Sequence, residues 1–260
     1  MCHLCLTSVN DGTAPHTAHV TASHQEAAGN PARRGFLRSG MLAVAASWGM
    51  NNAFAASAAA PAAPNAITPA AALKRLMEGN ARYVANQPQE KDFSAGRAAR
   101  VNAQYPIAAI LSCADARLAP EFAFDQSPGD LFVARVAGNY ASPAVLSSLE
   151  YAVAVLNAPL VIVLGHTNCG AVSATVKMIE TKDTLPGTMQ DIISAIQPAV
   201  VRAQRETGGS LLERSIVENV KLQEQFLQNR PSLVKSLLDA KKIEIVGAVY
   251  DLATGKITLV

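Results

Sequence analysis

The chain has 260 residues, of which 50% are hydrophobic and 16% are charged, and its formal net charge is +2. This nearly neutral balance lacks any block of lysine and arginine interleaved with aromatic residues, so we expect no nucleic-acid partner. The length allows one or two domains, but the first third of the chain does not show the periodic apolar pattern of a folded domain.

Residues 1–55 have the layout of an export signal. Basic residues in 33–38 precede a short, weakly apolar stretch at 41–56, and small residues at 53–55 offer a cleavage site. The stretch is too short and too polar for a stable membrane span. The pair Arg33 and Arg34 resembles a twin-arginine signal, so we expect a periplasmic or otherwise exported protein that uses the twin-arginine machinery. The alternative is a disordered, alanine-rich tail with a chance arginine pair.

Without this leader, the chain keeps two of its four cysteines, Cys113 and Cys169, and one of its five histidines, His166. Two cysteines do not make a disulfide framework. Residues 56–67 are rich in alanine and proline and predict a linker. Residues 68–260 predict one domain, which is long enough to bury about 70% of its unfolded surface.

The folded part is predicted to open with an extended N-terminal helix. Thr68 and Pro69 supply an N-cap and a proline at the first helical position, and the apolar stripe that follows must be buried on its own core or on a second subunit. Further helices are predicted over 92–103, 120–125, 142–156, from near 170, and over 188–204, 211–228 and 231–240. Strands are predicted over 107–111, 131–136, 160–164, 243–250 and 256–260.

Two of these strands, 107–111 and 160–164, are unbroken apolar runs that end in polar and glycine residues. Such runs are typical of strands buried on both faces of a parallel sheet. Because strands alternate with helices, we predict an α/β fold with a mostly parallel central sheet and helices on both faces. The C-terminal hairpin at 243–260 should add an antiparallel edge strand.

Metal-ligating side chains follow both buried strands. Cys113 follows the first, and His166 and Cys169 follow the second, at the strand ends where open α/β sheets build their sites. Cys, His and Cys form a three-ligand zinc set that leaves a fourth position open. The pair His166 and Cys169 spans a predicted helix start, where the helix dipole favours thiolate. The alternative is two ordinary buried cysteines and a satisfied histidine.

Asp115 and Arg117 follow Cys113 at two-residue intervals. If this segment stays extended, the three side chains share one face. A carboxylate beside zinc could be its fourth ligand or could accept a proton from a zinc-bound water. Arg117 can pair with the carboxylate bidentately and keep it ionised and fixed in direction. The alternative is an ordinary surface ion pair.

Cys-x-Asp-x-Arg, followed further along the chain by His-x-x-Cys, resembles the zinc site of the β-class carbonic anhydrases, and the spacing is similar to that of their plant-like branch. The resemblance covers essentially all of 68–260, including 132–139 and 150–153. It implies one zinc per subunit on the three ligands named above, with Asp115 and Arg117 as a gating dyad.

The same resemblance implies zinc-dependent reversible hydration of carbon dioxide to bicarbonate and a proton, by attack of a zinc-bound hydroxide. It implies that Gln104 hydrogen-bonds the substrate and that Phe132 and Tyr151 line the apolar carbon dioxide pocket, within one subunit or across a subunit boundary. Gly170 is the remaining implied substrate-binding residue. Family members are dimers or larger assemblies, so we expect a homodimer or higher homo-oligomer.

One departure from the family concerns its bicarbonate-inhibited branch, which carries a tryptophan near the first cysteine. The only tryptophan of this chain, Trp48, lies in the leader, and Ile110 stands at that strand position, so we expect no inhibitory bicarbonate pocket. Two other functions stay open: hydrolysis of carbon disulfide or a related compound on the same scaffold, and a non-catalytic protein whose zinc is closed by Asp115. The presence of Arg117 and Gln104 disfavours the second.

Overall fold

The computed structural model describes residues 63–260. The predicted export signal and the first part of the predicted linker lie outside the described residues. Asn65, near the end of that linker, is buried, and its side-chain amide donates to the carbonyl oxygens of Pro106 and Leu156. The packed structure therefore begins before residue 68. Within residues 63–260, no helix combines the length and apolar character needed to cross a membrane.

Five strands form one sheet at the centre of the fold. They are β1 (Ala108–Ser112), β2 (Leu131–Arg135), β3 (Leu160–His166), β4 (Glu244–Tyr250) and β5 (Ile257–Leu259). Their order is β2-β1-β3-β4-β5, with the first four strands parallel and β5 antiparallel to β4. Every residue of β1 and β3 is buried, as expected for strands covered on both faces. The predicted fold class is confirmed.

Eight α-helices surround the sheet in the described part of the chain. They are α1 (Pro69–Val84), α2 (Arg97–Asn102), α3 (Pro120–Ala123), α4 (Pro143–Ala154), α5 (Gly170–Thr181), α6 (Gln190–Ala203), α7 (Leu211–Asn229) and α8 (Leu233–Asp239). The predicted cap at Thr68 is present, since its side chain accepts from the Ala71 N–H. Ser210 and Glu213 form a capping box at the start of α7.

The second helix is shorter than the predicted 92–103. The Asp92 carboxylate accepts hydrogen bonds from the backbone N–H groups of Ser94 and Ala95, which stabilises a turn instead of a helix. Gly96 then adopts φ +68°, a left-handed conformation that a helix interior excludes. The chain becomes helical only at Arg97.

The core has three clusters, one on each face of the sheet and one beyond its carboxyl edge. On one face α1 buries Ala72 and Leu76, so its stripe packs on the sheet of its own chain. On the other face α4, α7 and α8 cover the sheet. The third cluster contains Cys113, Cys169 and apolar side chains of α5, α6 and α7, and this cluster surrounds the candidate site.

Candidate metal centre

The three predicted metal ligands meet at the carboxyl edge of the sheet. Strands β1 and β3 are parallel neighbours, with Ser112 opposite Leu164, so Cys113 and His166 end up at the same edge. Cys169 is the N-cap of α5. The ligand atoms of these three buried residues all lie within 4.8 Å of one another.

The geometry of these side chains fits zinc. The two sulfurs are 3.9 Å apart, and sulfurs bound tetrahedrally at about 2.3 Å from one zinc would lie roughly 3.8 Å apart. His166 Nδ1 lies 2.9 Å from the Thr167 carbonyl oxygen, which can only accept, so Nδ1 carries the proton and Nε2 presents its lone pair. That Nε2 is buried and has no hydrogen-bond partner among the described residues. A cation between the sulfurs would provide one.

The two sulfurs lie close enough to compete for one proton. Their hydrogen bond lowers the pKa of Cys113, whereas the same bond and burial raise the pKa of Cys169. The backbone amides of Ala171 and Val172 act in the opposite direction on Cys169, as the helix start predicts, but they are outweighed. A bound cation would remove this competition because it stabilises both thiolates.

Asp115 and Arg117 form the predicted pair beside the ligands. Arg117 Nε donates to Asp115 Oδ1 at 2.9 Å, and Nη2 donates to Oδ2 at 2.7 Å. This bidentate contact holds the pKa of the Asp115 carboxyl well below its usual range. Asp115 Oδ2 lies 3.8 Å from His166 Nε2. The carboxylate therefore stands next to the ligand set but is turned towards the arginine.

The extended conformation predicted to bring Asp115 and Arg117 onto one face was wrong. Residues 113–117 do not stay extended: the Leu118 N–H donates to the Asp115 carbonyl oxygen, and the Arg117 N–H donates to Asp115 Oδ1 at 3.0 Å. A turn, rather than alternation along a strand, folds Arg117 back over Asp115. Arg117 Nη2 also reaches the carbonyl oxygen of Asn168 at 3.3 Å, so it links the two ligand-bearing segments.

Sequence reasoning missed two residues that hold the first segment. The Arg135 guanidinium donates to the carbonyl oxygens of Cys113, Asp115 and Leu118 at 3.0, 2.7 and 2.8 Å. The Gly138 N–H donates to Cys113 Sγ at 3.3 Å. Their only sequence signal was their place within 132–139, where the family resemblance is strong.

The structure places the predicted substrate residues Gln104, Phe132 and Tyr151 together, but away from the ligands. The rings of Phe132 and Tyr151 are 6.1 Å apart, and Tyr151 and Gln104 line one pocket of about 490 Å³. Phe132 pairs with Ala109 in β1, four residues before Cys113, which is roughly 13 Å along the strand.

Gly170, the other predicted substrate-binding residue, is different because it directly follows Cys169. It is exposed at the first position of α5, and a Cβ added there would meet no atom within 4 Å. Of the predicted substrate residues, Gly170 alone therefore lies beside the ligand set of its own chain.

Comparison with known proteins agrees with this geometry. The family model of carbonic anhydrase matches residues 108–257. A carbonic anhydrase of Mycolicibacterium smegmatis is 40% identical over 197 residues, which span 75% of this chain and 95% of that protein. Carbonic anhydrase 2 of Mycobacterium tuberculosis is 41% identical over 198 residues, spanning 75% of this chain and 94% of that protein.

Among solved structures, the β-carbonic anhydrase CcaA superposes with a TM-score of 0.57 at 26% identity, covering 73% of this chain and 87% of that one. The β-carbonic anhydrase of Coccomyxa superposes with a TM-score of 0.56 at 27% identity, covering 64% and 77% respectively. With the family model spanning the sheet and both ligand segments, this chain belongs to the β-class carbonic anhydrase family.

Proposed function

We propose that this chain catalyses the reversible hydration of carbon dioxide to bicarbonate and a proton, with one zinc per subunit. One observation carries the proposal: the buried Cys113, His166 and Cys169 converge with a free lone pair on Nε2, beside an Asp115 that Arg117 holds. Membership of the β-class family supports the same reaction.

The three ligands would hold zinc, which supplies Lewis acidity and brings the pKa of a water ligand to about 7, a value known from carbonic anhydrases of the three-histidine type. Asp115 has about four acceptor sites, and three donors of Arg117 occupy three of them. The remaining site on Oδ2 faces the ligand set and can accept a hydrogen bond from water. Since the carboxylate can only accept, it fixes where that water's proton points.

Few groups of this site can carry the released proton to solvent. His166 is the one histidine in residues 63–260, and it serves as a ligand. Asp115, water or external buffer must therefore carry the proton to solvent. We expect turnover at saturating carbon dioxide to rise with buffer concentration, as measured by stopped-flow hydration in a non-coordinating buffer series.

The geometry of Asp115 favours this reaction over a closed, non-catalytic zinc. Both carboxylate oxygens are engaged by Arg117, and the ligand atoms that converge within 4.8 Å of one another are those of Cys113, His166 and Cys169, without Asp115. Zinc analysis combined with stopped-flow carbon dioxide hydration on residues 56–260 tests the proposal. One zinc per chain without hydration would overturn it, and a parallel assay with carbon disulfide would identify hydrolysis of that substrate instead.

We further propose that a second copy of the chain completes each site, as in the plant-like branch. Gln104, Phe132 and Tyr151 lie too far from the ligands of their own chain to touch the same small substrate. Exposed apolar side chains lie next to them, with Val101 80% and Val155 58% exposed, among polar residues such as Arg100. Apolar patches of this kind are typical of protein interfaces, and an isologous dimer would bring each set of substrate residues to the partner's metal.

Mixed dimers test this arrangement. Gln104→Ala should lower kcat/KM by roughly 10- to 100-fold, and Arg117→Ala should be inactive. When equal amounts of the two variants are refolded together, half of the dimers contain one chain of each. In these mixed dimers one of the two sites has all its residues intact, so about a quarter of wild-type activity should return. Activity no higher than the average of the two parent proteins would place Gln104 and Arg117 in the same chain's site and overturn the proposal.

We also propose that residues 1–55 direct export through the twin-arginine route. The support is the order of basic, apolar and small residues in that segment. Replacing Arg33 and Arg34 with lysines should retain the protein in the cytoplasm, as measured by fractionation and immunoblotting. Unchanged export of this variant would exclude the twin-arginine route.

A further inference from the structure

The hydrogen bond from Gly138 to Cys113 Sγ comes from a turn that is closed locally by one bond, from the Asn139 N–H to the Val136 carbonyl oxygen at 3.0 Å. Gly138 lies in a turn after β2, with φ +82°, in the left-handed region that favours glycine. A Cβ there would stand 2.5 Å from Cδ1 of Ile196. The position therefore requires glycine, and the Gly138 carbonyl oxygen, which is not used in closing the turn, needs a constraint from elsewhere.

Helix α7 provides that constraint. Asn219 is 1% exposed, and its Nδ2 donates to the Gly138 carbonyl oxygen at 2.9 Å. Gln223, one turn later, donates to Asn219 Oδ1 at 3.4 Å, and its own Oε1 accepts from the Ala141 N–H at 3.0 Å. These contacts fix which side of the Asn219 amide faces Gly138.

The position of α7 is itself fixed by close packing against the sheet. A Cβ on Gly165 of β3 would stand 2.6 Å from Val220, and a Cβ on Gly247 of β4 would stand 2.8 Å from it. Val220 therefore fits against two strands where they carry no side chain. This packing fixes the part of α7 that carries Asn219, the neighbour of Val220 in the chain.

We propose that Asn219 is a positioning residue for the metal centre: by holding the Gly138 carbonyl it keeps the turn in the conformation that presents the Gly138 N–H to the Cys113 sulfur. An N–H hydrogen bond withdraws electron density from a thiolate and fixes its direction, and such outer contacts change metal affinity or activity by roughly 10- to 100-fold. The inference rests on the proposed function, since it requires a metal on Cys113.

Two variants remove the donor in different ways. Asn219→Ala deletes the amide but leaves a cavity. Asn219→Leu removes the amide and fills the space with an apolar side chain of similar size, so an effect seen in both variants is not caused by the cavity. Asn80→Ala is the matched control. Asn80 is 3% exposed on α1 and donates to the carbonyl oxygens of Ala123 and Gly255 at 2.9 and 2.8 Å, on the other face of the sheet.

Each protein is measured in three ways: zinc release to a chelator, the sulfur-to-metal charge-transfer band after cobalt substitution, and thermal stability. Both Asn219 variants should release zinc about 10-fold or more faster than wild type. Their cobalt band should move to longer wavelength, because a sulfur that loses a hydrogen bond gives up charge more easily. Asn80→Ala should lower the melting temperature while leaving the band and the release rate unchanged.

A wild-type band and release rate in both Asn219 variants would overturn the inference. An equal shift in Asn80→Ala would also overturn it, because the effect would then report general destabilisation. A wild-type protein that takes up neither zinc nor cobalt, or that binds cobalt without a thiolate band, would overturn the proposed metal site itself. The state of the wild-type protein therefore separates the two failures.

Discussion

The two thiolates of the metal centre are held in different ways. Cys169 is the N-cap of α5, and the backbone amides of Ala171 and Val172, within its own helix start, act to lower the pKa of its thiol. Cys113 receives a hydrogen bond from Gly138, which is 25 residues away in the chain and is itself held by Asn219 of α7. One ligand thus depends on local structure, and the other depends on how β1, the turn after β2 and α7 pack together.

This difference predicts where the site tolerates change. The segment with His166 and Cys169 is formed by β3 and the first turn of α5, and the Thr167 N–H donates to the Tyr250 carbonyl oxygen of the adjacent β4, so substitutions away from these three elements should leave it in place. The segment with Cys113 needs the turn after β2, the Arg135 side chain and the correct packing of α7 against the sheet. A substitution that disturbs any of these should therefore displace Cys113 before it displaces His166 or Cys169.

The largest effect is expected at the residue that joins the two segments. Arg117→Ala removes the bidentate contact to Asp115 and the contact to the Asn168 carbonyl, so the carboxylate is free to turn onto the metal. Turnover should fall by roughly 1,000-fold or more while zinc stays bound. Stopped-flow hydration and zinc analysis on the same sample check both halves of this prediction.

The matched substitution is Arg117→Lys, which keeps the charge but cannot donate bidentately. We expect it to remain at least 10-fold below wild type. Near-normal hydration in Arg117→Ala would show that Asp115 needs no arginine to stay off the metal.

The second test compares a glycine in each segment. Gly138→Ala forces an unfavourable φ of +82° and a 2.5 Å contact with Ile196, so it should lower the free energy of unfolding by about 2 to 4 kcal/mol. Gly170→Ala begins α5, where an added Cβ meets nothing within 4 Å. It should leave stability unchanged or raise it by about 0.4 to 1 kcal/mol.

Denaturant unfolding of the two metal-loaded proteins measures this contrast. Zinc release should also be faster in Gly138→Ala than in wild type, since that variant displaces the donor to Cys113. Equal destabilisation by both substitutions would contradict the view that only one segment depends on distant packing.

The smallest effect on the centre is expected from Asp125, which lies outside both segments. Burial raises the pKa of this carboxyl, but hydrogen bonds from Lys91 and Arg82 outweigh burial and lower it. The folded pKa therefore lies below the unfolded value of about 3.9. The stabilisation is present above that value and is lost as the pH falls through the folded pKa.

Asp125→Asn should lower the free energy of unfolding by about 2 kcal/mol at pH 7, since it leaves two half-buried cations without their partner. The difference from wild type should shrink as the pH is lowered below about 4. Asp239→Asn, which breaks an exposed pair with Lys235, should change stability little. Zinc release should be unaffected in both, and a faster release in Asp125→Asn would show that this cluster also supports the centre.

Several features of the chain follow from its sequence alone because their causes are local or periodic. The unbroken apolar runs before Cys113 and His166 predict buried parallel strands, and the edge at which such strands end is a property of every parallel sheet. The triad could thus be predicted from residue type and strand position. The predicted cap at Thr68 is equally local.

Other features were decided only by the tertiary structure. The turn that folds Arg117 over Asp115 replaces the extended segment that spacing suggested, and distant residues hold it: Arg135 donates to the carbonyl oxygens of Asp115 and Leu118, and Arg117 reaches the Asn168 carbonyl oxygen. Gly138 and Asn219 have no spacing that connects them to Cys113. Residue types and strand order determine which side chains reach the edge of the sheet. The Cys113 sulfur receives its hydrogen bond from Gly138, whose carbonyl meets Asn219 only when α7 packs against β3 and β4.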